Sequence, residues 1–250
     1  MTEHLLLIVA VGAGIGFLGG LLGKGGSAIA TPVLAAMGVP PIVALAAPLP
    51  ATVPGTLVAA QRYRERGLVD GRVLRWSLVT GVPATIVGAL ASRWIDAGAL
   101  VLVTDAILVG LGLRLVLRAG VDEVGEDAAE LTPRRIAAVA VIVGLAGGLL
   151  ANSGGFLLAP LFIAVLGLPI KPALGTSLAV AAALAVPGTL VHLALGHLDP
   201  TVVVAFAVGS VPLSSLGAKV AVRTDPTRLE RGYGIALVVL GLGFLAATAL

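Results

Sequence analysis

No cysteine occurs among the 250 residues, which excludes disulfides, thiolate metal sites and cysteine nucleophiles while leaving the redox compartment undefined. Charge is scarce as well: Asp, Glu, Lys and Arg make up 12% of the chain, against about 25% in soluble globular domains. Aromatic residues contribute only 4%, and there are two tryptophans, Trp76 and Trp94. What the chain has in quantity is apolar sequence, 58% of it. Long apolar runs lie at about 5–22, 41–60, 72–92, 99–117, 134–151, 171–195, 201–222 and 233–250, most of them near the ~20 residues that cross hydrocarbon. Two shorter runs, 27–37 and 155–166, do not reach that length. The tryptophans stand 18 residues apart, about 27 Å along a helix, close to the separation of a bilayer's two interfaces. These features describe an all-α polytopic membrane protein. Its arginines sit in short loops between apolar runs, where they report topology rather than a nucleic-acid partner. The opening "MTEHLLLIVAVGAGIGFLGG" lacks the basic start of a signal peptide and has a counterpart inside the chain, "RRIAAVAVIVGLAGG", so it is expected to belong to the fold.

The chain repeats itself. Gly19, Gly20, Gly26 and Pro32 recur 128 residues later as Gly147, Gly148, Gly154 and Pro160, and "PGTLV" at 54–58 returns at 187–191. Gly67, Asp70, Pro83 and Gly88 match Gly196, Asp199, Pro212 and Gly217 at a spacing of 129. The expected organisation is a first membrane repeat over 1–117, a polar cytoplasmic linker over 118–133 and a second repeat over 134–250. Loop charges alternate between the halves. "QRYRERGLVDGR" carries four arginines where its counterpart "ALGHLDP" has no lysine or arginine; "ASRWIDAG" has only Arg93 where "AKVAVRTDPTRLERG" has Lys219, Arg223, Arg228 and Arg231. If positive loops stay inside, the halves are inverted-topology repeats. Each is expected to hold a glycine-broken, re-entrant helix pair followed by about three spanning helices.

Lys24 is the sole Asp, Glu, Lys or Arg between Glu3 and Arg62, and it lies inside "GKGGS". Both short runs follow such a cluster, the second being "NSGG". Glycine allows a sharp break, and the helix that restarts at membrane depth presents unpaired N–H groups and a positive dipole end. Two such starts meeting at an inverted-repeat axis form an anion site. An ammonium in a spanning segment costs about 2.5–3.5 kcal/mol, so Lys24 should face inward toward a negative partner, for which the substrate itself qualifies. Snorkelling to the interface is the plainer account of Lys24. Gly25, Gly26, Ser27, Asn152, Ser153, Gly154 and Gly155 complete the two clusters as substrate-binding candidates.

The stretch "GLAGGLLANSGGFLLAPLFIAVLGLPIKPALGTSLAV" resembles the TauE/SafE family of membrane proteins: a glycine-rich break, a proline and leucine, then an "A-x-GTS" start to the next helix, here Ala173 to Ser177. The "RERGLVDGR" and "LGHLDP" loops resemble the family too, and the likeness covers nearly the whole chain. It implies a secondary transporter, in the inner membrane, for sulfur oxyanions or sulfonates such as sulfite or sulfoacetate, with no cofactor and no nucleotide hydrolysis. It adds Thr176 and Ser177 to the lining candidates. The first half departs from the pattern, with "GVPPIVALAAPLP" in place of the GTS segment.

Thr56 and Thr189 of the repeated "PGT" are further candidates, although a threonine in a spanning helix commonly bonds its own backbone. Asp105 and His192 are candidates for proton coupling, each close enough to a helix end to be ordinary interface residues. Ser153 with His192 raises an intramembrane hydrolase as a different class, but the serine lacks the usual glycine two places before it. No P-loop is present, and no metal or catalytic residue is expected. The expected partners are a small anion and the bilayer. A carboxylate carrier, a non-transporting membrane subunit, a homo-oligomer, and a proton or sodium as coupling ion are left open.

Overall fold

The computed structural model describes residues 2–23, 27–91, 109–117, 131–149 and 155–249, and every regular element among them is helical. In chain order these are α1 (Thr2–Leu21), α2 (Ser27–Ala36), α3 (Pro41–Ala46), α4 (Pro48–Arg64), α5 (Gly71–Ala91), α6 (109–117), α7 (Pro133–Leu149), α8 (Gly155–Ala164), α9 (Ile170–Ala194), α10 (Pro200–Arg223) and α11 (Pro226–Ala249). Five described segments are long and apolar enough to cross a membrane: α1, α3 with α4, α5, α9 and α10. The run at 41–60, read from sequence as continuous, is interrupted at Ala47. Ala47 keeps helical dihedrals and its N–H reaches the Val43 carbonyl. The interruption is therefore one of hydrogen bonding, arising because Pro48 has no N–H to give.

The repeated letters have a common local cause. Gly67 and Gly196 both take positive φ, 67° and 70°, which ends the preceding helix in a left-handed step. Asp70 then accepts from the N–H groups of Arg72 and Val73, and Asp199 from those of Thr201 and Val202. Each aspartate caps the next helix.

Small residues decide how the helices pair. Gly12, Gly16 and Gly20 of α1 face the backbone of Phe206, Ser210 and Ser214 of α10, so the two helices run parallel. Gly209 and Gly217 of α10 return the contact against Val9 and Phe17. The same arrangement joins α7 to α5, where Gly144 meets Gly81 and Gly148 meets Thr85. α4 and α9 run antiparallel, with Leu49 beside Gly188 at one end and Tyr63 against Gly175 at the other. Each of these pairs draws one member from 1–117 and one from 134–250. Large side chains point the other way: Leu6, Leu7, Val79, Ile86, Val204, Val208 and Val239 are exposed, while Gly, Ala and Ser are turned inward. That is the pattern of a protein dissolved in lipid, where close backbone approach drives association.

These directions bring the cations to one end. The last turn of α4 (Arg62, Arg64), the starts of α5 (Arg72, Arg75) and α7 (Arg134, Arg135), the start of α9 (Lys171) and the end of α10 (Lys219, Arg223) lie together, and Lys171 Nζ donates to the Val222 carbonyl at 3.0 Å. The opposite end carries His4, His192, His197 and Asp199. By the positive-inside rule the basic end is expected to face the cytoplasm. Single cysteines placed at Arg64 and His197, in a chain with none of its own, are expected to be labelled by an impermeant maleimide from opposite faces of intact membranes. Labelling of both from one face would contradict this arrangement.

Candidate functional site

Four of the eight buried polar side chains among the described residues, Thr52, Thr56, Ser210 and Ser214, line one small cavity between α1, α4 and α10. Its volume is about 20 Å³, room for a single water-sized occupant. Gly16, Gly19 and Gly20 of α1 form one wall, and Leu178 of α9 and Phe206 of α10 close it. The hydroxyls are mostly committed to their own helices. Thr52 Oγ1 donates to the Pro48 carbonyl at 2.9 Å, Thr56 Oγ1 to the Thr52 carbonyl at 2.7 Å, and Ser214 Oγ to the Ser210 carbonyl at 2.8 Å. Ser210 Oγ is buried with no partner.

One residue before Leu178 on α9, the buried Ser177 hydroxyl lies 2.8 Å from two carbonyls, those of Gly23 and Leu174. Gly23 takes a positive φ of 66° and packs against Leu174. The residue that enters the first glycine cluster is thus docked on the GTS start of α9, which joins two motifs separated by some 150 positions in the chain. Thr176 is also buried, and its Oγ1 accepts from the N–H of Asp70 at 2.9 Å, tying the loop before α5 to the same helix start. Thr176→Val is expected to leave that N–H unsatisfied and to lower stability by about 1–3 kcal/mol, read as a lower melting temperature of the purified protein.

Of the other residues singled out in the sequence, Ser27 opens α2 and Gly155 opens α8. Thr56 lines the cavity, whereas Thr189 donates to the Ala185 carbonyl at 2.9 Å on its own helix. His192 meets His197, Nδ1 to Nδ1 at 3.1 Å, at the end away from the cations. Lys24, Gly25, Gly26, Asp105, Asn152, Ser153 and Gly154 lie outside the described residues. Thr52, Ser210 and Ser214 were not singled out by sequence reasoning. The spacing Gly16-xxx-Gly20 on α1 and Ser210-xxx-Ser214 on α10 could have found the two serines, since small residues four apart mark a face that packs closely.

The family model described as sulfite exporter TauE/SafE matches residues 8–244. A probable membrane transporter protein of Xylella fastidiosa strain 9a5c is 28% identical over 245 residues, covering 94% of each chain. One from Haemophilus influenzae is 25% identical over 264 residues, covering 97% of this chain and 98% of its own. The probable membrane transporter protein YunE of Bacillus subtilis is 23% identical over 260 residues, covering 94% of this chain and 95% of its own. No solved structure matches the chain.

Proposed function

The chain belongs to the sulfite exporter TauE/SafE family of membrane transporters, and from that premise we propose that it carries a small sulfur-containing anion, such as sulfite or a sulfonate, across the inner membrane by alternating access. The proposed framework is a pair of inverted halves. Under the duplication α4 corresponds to α9, and these two pack antiparallel; α1 corresponds to α7, and α1 on α10 has its counterpart in α7 on α5. A two-fold axis lying in the membrane plane relates helices in this way, and such an axis lets one half rock against the other.

The proposed anion site lies where the glycine clusters interrupt the helices. The observation that carries it is the docking of Gly23 on Leu174 and Ser177. Lys24 follows Gly23 directly in the chain. α2, ten residues and about 15 Å long, is half the length of α1. Its C-terminal side meets the start of α1 through His4 Nε2 and the Met37 carbonyl, 3.1 Å apart, and Ala30 shares an apolar cluster with Ile15. The amino end of α2, with its unpaired N–H groups, accordingly falls about midway along α1. Lys24 supplies charge, the N–H groups of Gly25, Gly26, Gly154 and Gly155 ligate oxygens, and Ser27, Asn152 and Ser153 tune selectivity, while Ser177 holds Gly23 in place.

The test is a comparison of sulfite, thiosulfate, sulfoacetate and equally charged carboxylates, by thermal shift on purified protein and by uptake into proteoliposomes. A ligand that binds the folded state raises its melting temperature, so a sulfur oxyanion is expected to stand above the carboxylates. If no anion in the panel stabilises the protein or crosses the membrane, the proposal is wrong.

A further inference from the structure

The cavity between α1, α4 and α10 has the wrong polarity for the anion. Thr52, Thr56 and Ser214 each give their hydroxyl hydrogen to a carbonyl four residues back. What remains on those three oxygens is acceptor capacity only. Ser210 Oγ, buried and unpartnered, is the one polar side-chain atom of the lining whose hydrogen-bonding capacity is entirely unused. The cavity also adjoins the last turn of α1 through Gly19 and Gly20. The final carbonyls of a helix lack helical donors and carry its negative partial charge. Oxygen lone pairs therefore line a space of about 20 Å³ beside the last turn of α1.

We infer that this cavity is a binding site for a small monovalent cation, sodium, held by the hydroxyl oxygens of Thr52, Thr56, Ser210 and Ser214 beside the last turn of α1. Hard cations are bound by oxygen ligands of this kind. A space of one water's size admits a single sodium stripped of its hydration shell. The site is built from α1, α4 and α10, whereas the proposed anion site is built around the glycine clusters. Bound sodium would hold α1 against α10 and α4, and its release would loosen that contact. The inference does not require the anion assignment to be right.

The experiment uses the purified full chain without added substrate, at constant chloride and ionic strength, with sodium replaced stepwise by choline or potassium. Sodium is expected to raise the melting temperature by about 5–10 °C at a hundredfold excess over its dissociation constant, and choline and potassium are expected not to. Ser210→Ala removes a buried hydroxyl that has no partner, so in choline it should melt at or above the parent, and it should lose most of the sodium response. Thr52→Val, of similar shape, should lose it as well. A melting temperature indifferent to sodium overturns the inference and leaves a cavity holding water alone. An undiminished response in Ser210→Ala overturns it too, as does an equal response to potassium. An absence of anion binding in the separate anion panel would leave a sodium response intact, so the two readings fail independently.

Discussion

Gly20→Leu is expected to yield no folded protein. A side chain built at Gly20 would run into the Ser214 carbonyl and the backbone N–H of Ala218 on α10, fixed atoms that no rotamer change can move. Overpacking a well-filled core costs about 1–3 kcal/mol when side chains can adjust. Here the helix axes themselves would have to separate, undoing the contacts at Gly12 and Gly16 along the same face. Gly20→Ala already brings its single methyl group onto the same Ser214 carbonyl, so the helices must part even for one carbon, and its melting temperature should fall by well more than the ~2–4 °C that about 1 kcal/mol moves a chain of this size. Gly148 stands in the same relation to Thr85 and Ala89, so Gly148→Leu should fail in the same way. Gly14, also in α1, has nothing within 4 Å of an added methyl, and Gly14→Ala should be indistinguishable from the parent. Size-exclusion profiles and thermal unfolding in detergent decide the matter. A monodisperse Gly20→Leu protein would mean that α1 does not sit on α10.

Lys24→Ala is expected to move affinity and stability in opposite directions. Losing a charge-assisted contact worth about 1.5–3 kcal/mol lowers anion affinity roughly 10- to 150-fold. At the membrane depth proposed for Lys24, removing its ammonium also relieves an insertion cost of about 2.5–3.5 kcal/mol, so the ligand-free variant should melt no lower than the parent. Lys24→Arg keeps the charge and should retain binding in part. Thermal shift with the best anion of the panel, run on both variants, separates the two effects. Undiminished affinity in Lys24→Ala would remove the lysine from the site, and a lower melting temperature without ligand would make it a structural residue.

Much of the chain's layout was legible before any coordinates. Residues 27–37 and 155–166 do form short helices, and the pairing of Gly67 with Gly196 and of Asp70 with Asp199 corresponds to two copies of one turn-and-cap device. These features are local, written in residues that accept positive φ or cap a helix. The contact of the first glycine cluster's entry with the GTS helix was not legible, since it joins residues 154 positions apart. The partners of α1 and α7 were not legible. In water an amphipathic stripe tells which face of a helix is buried, but here lipid and interior are both apolar and the stripe is missing. Spaced glycines announce that a face packs closely without saying against what, and so the hydroxyls of Ser210 and Ser214, which become a cavity wall only once α10 meets α1 and α4, passed unnoticed. Thr176 illustrates the converse. Its position in a motif suggested substrate, while its hydroxyl accepts from a loop N–H more than 100 residues earlier in the chain.

The pairing of α1 with α10 and of α5 with α7 also bears on how the molecule is made. α1 leaves the ribosome before the other described helices, yet α10, the helix that covers its glycine face, follows only after α2 to α9. Throughout translation that face must wait in the bilayer, shielded by lipid or by the insertion machinery. A truncated product ending before α10 would leave the groove on α1 uncovered and open to quality-control proteases, so the two halves should accumulate only when made together.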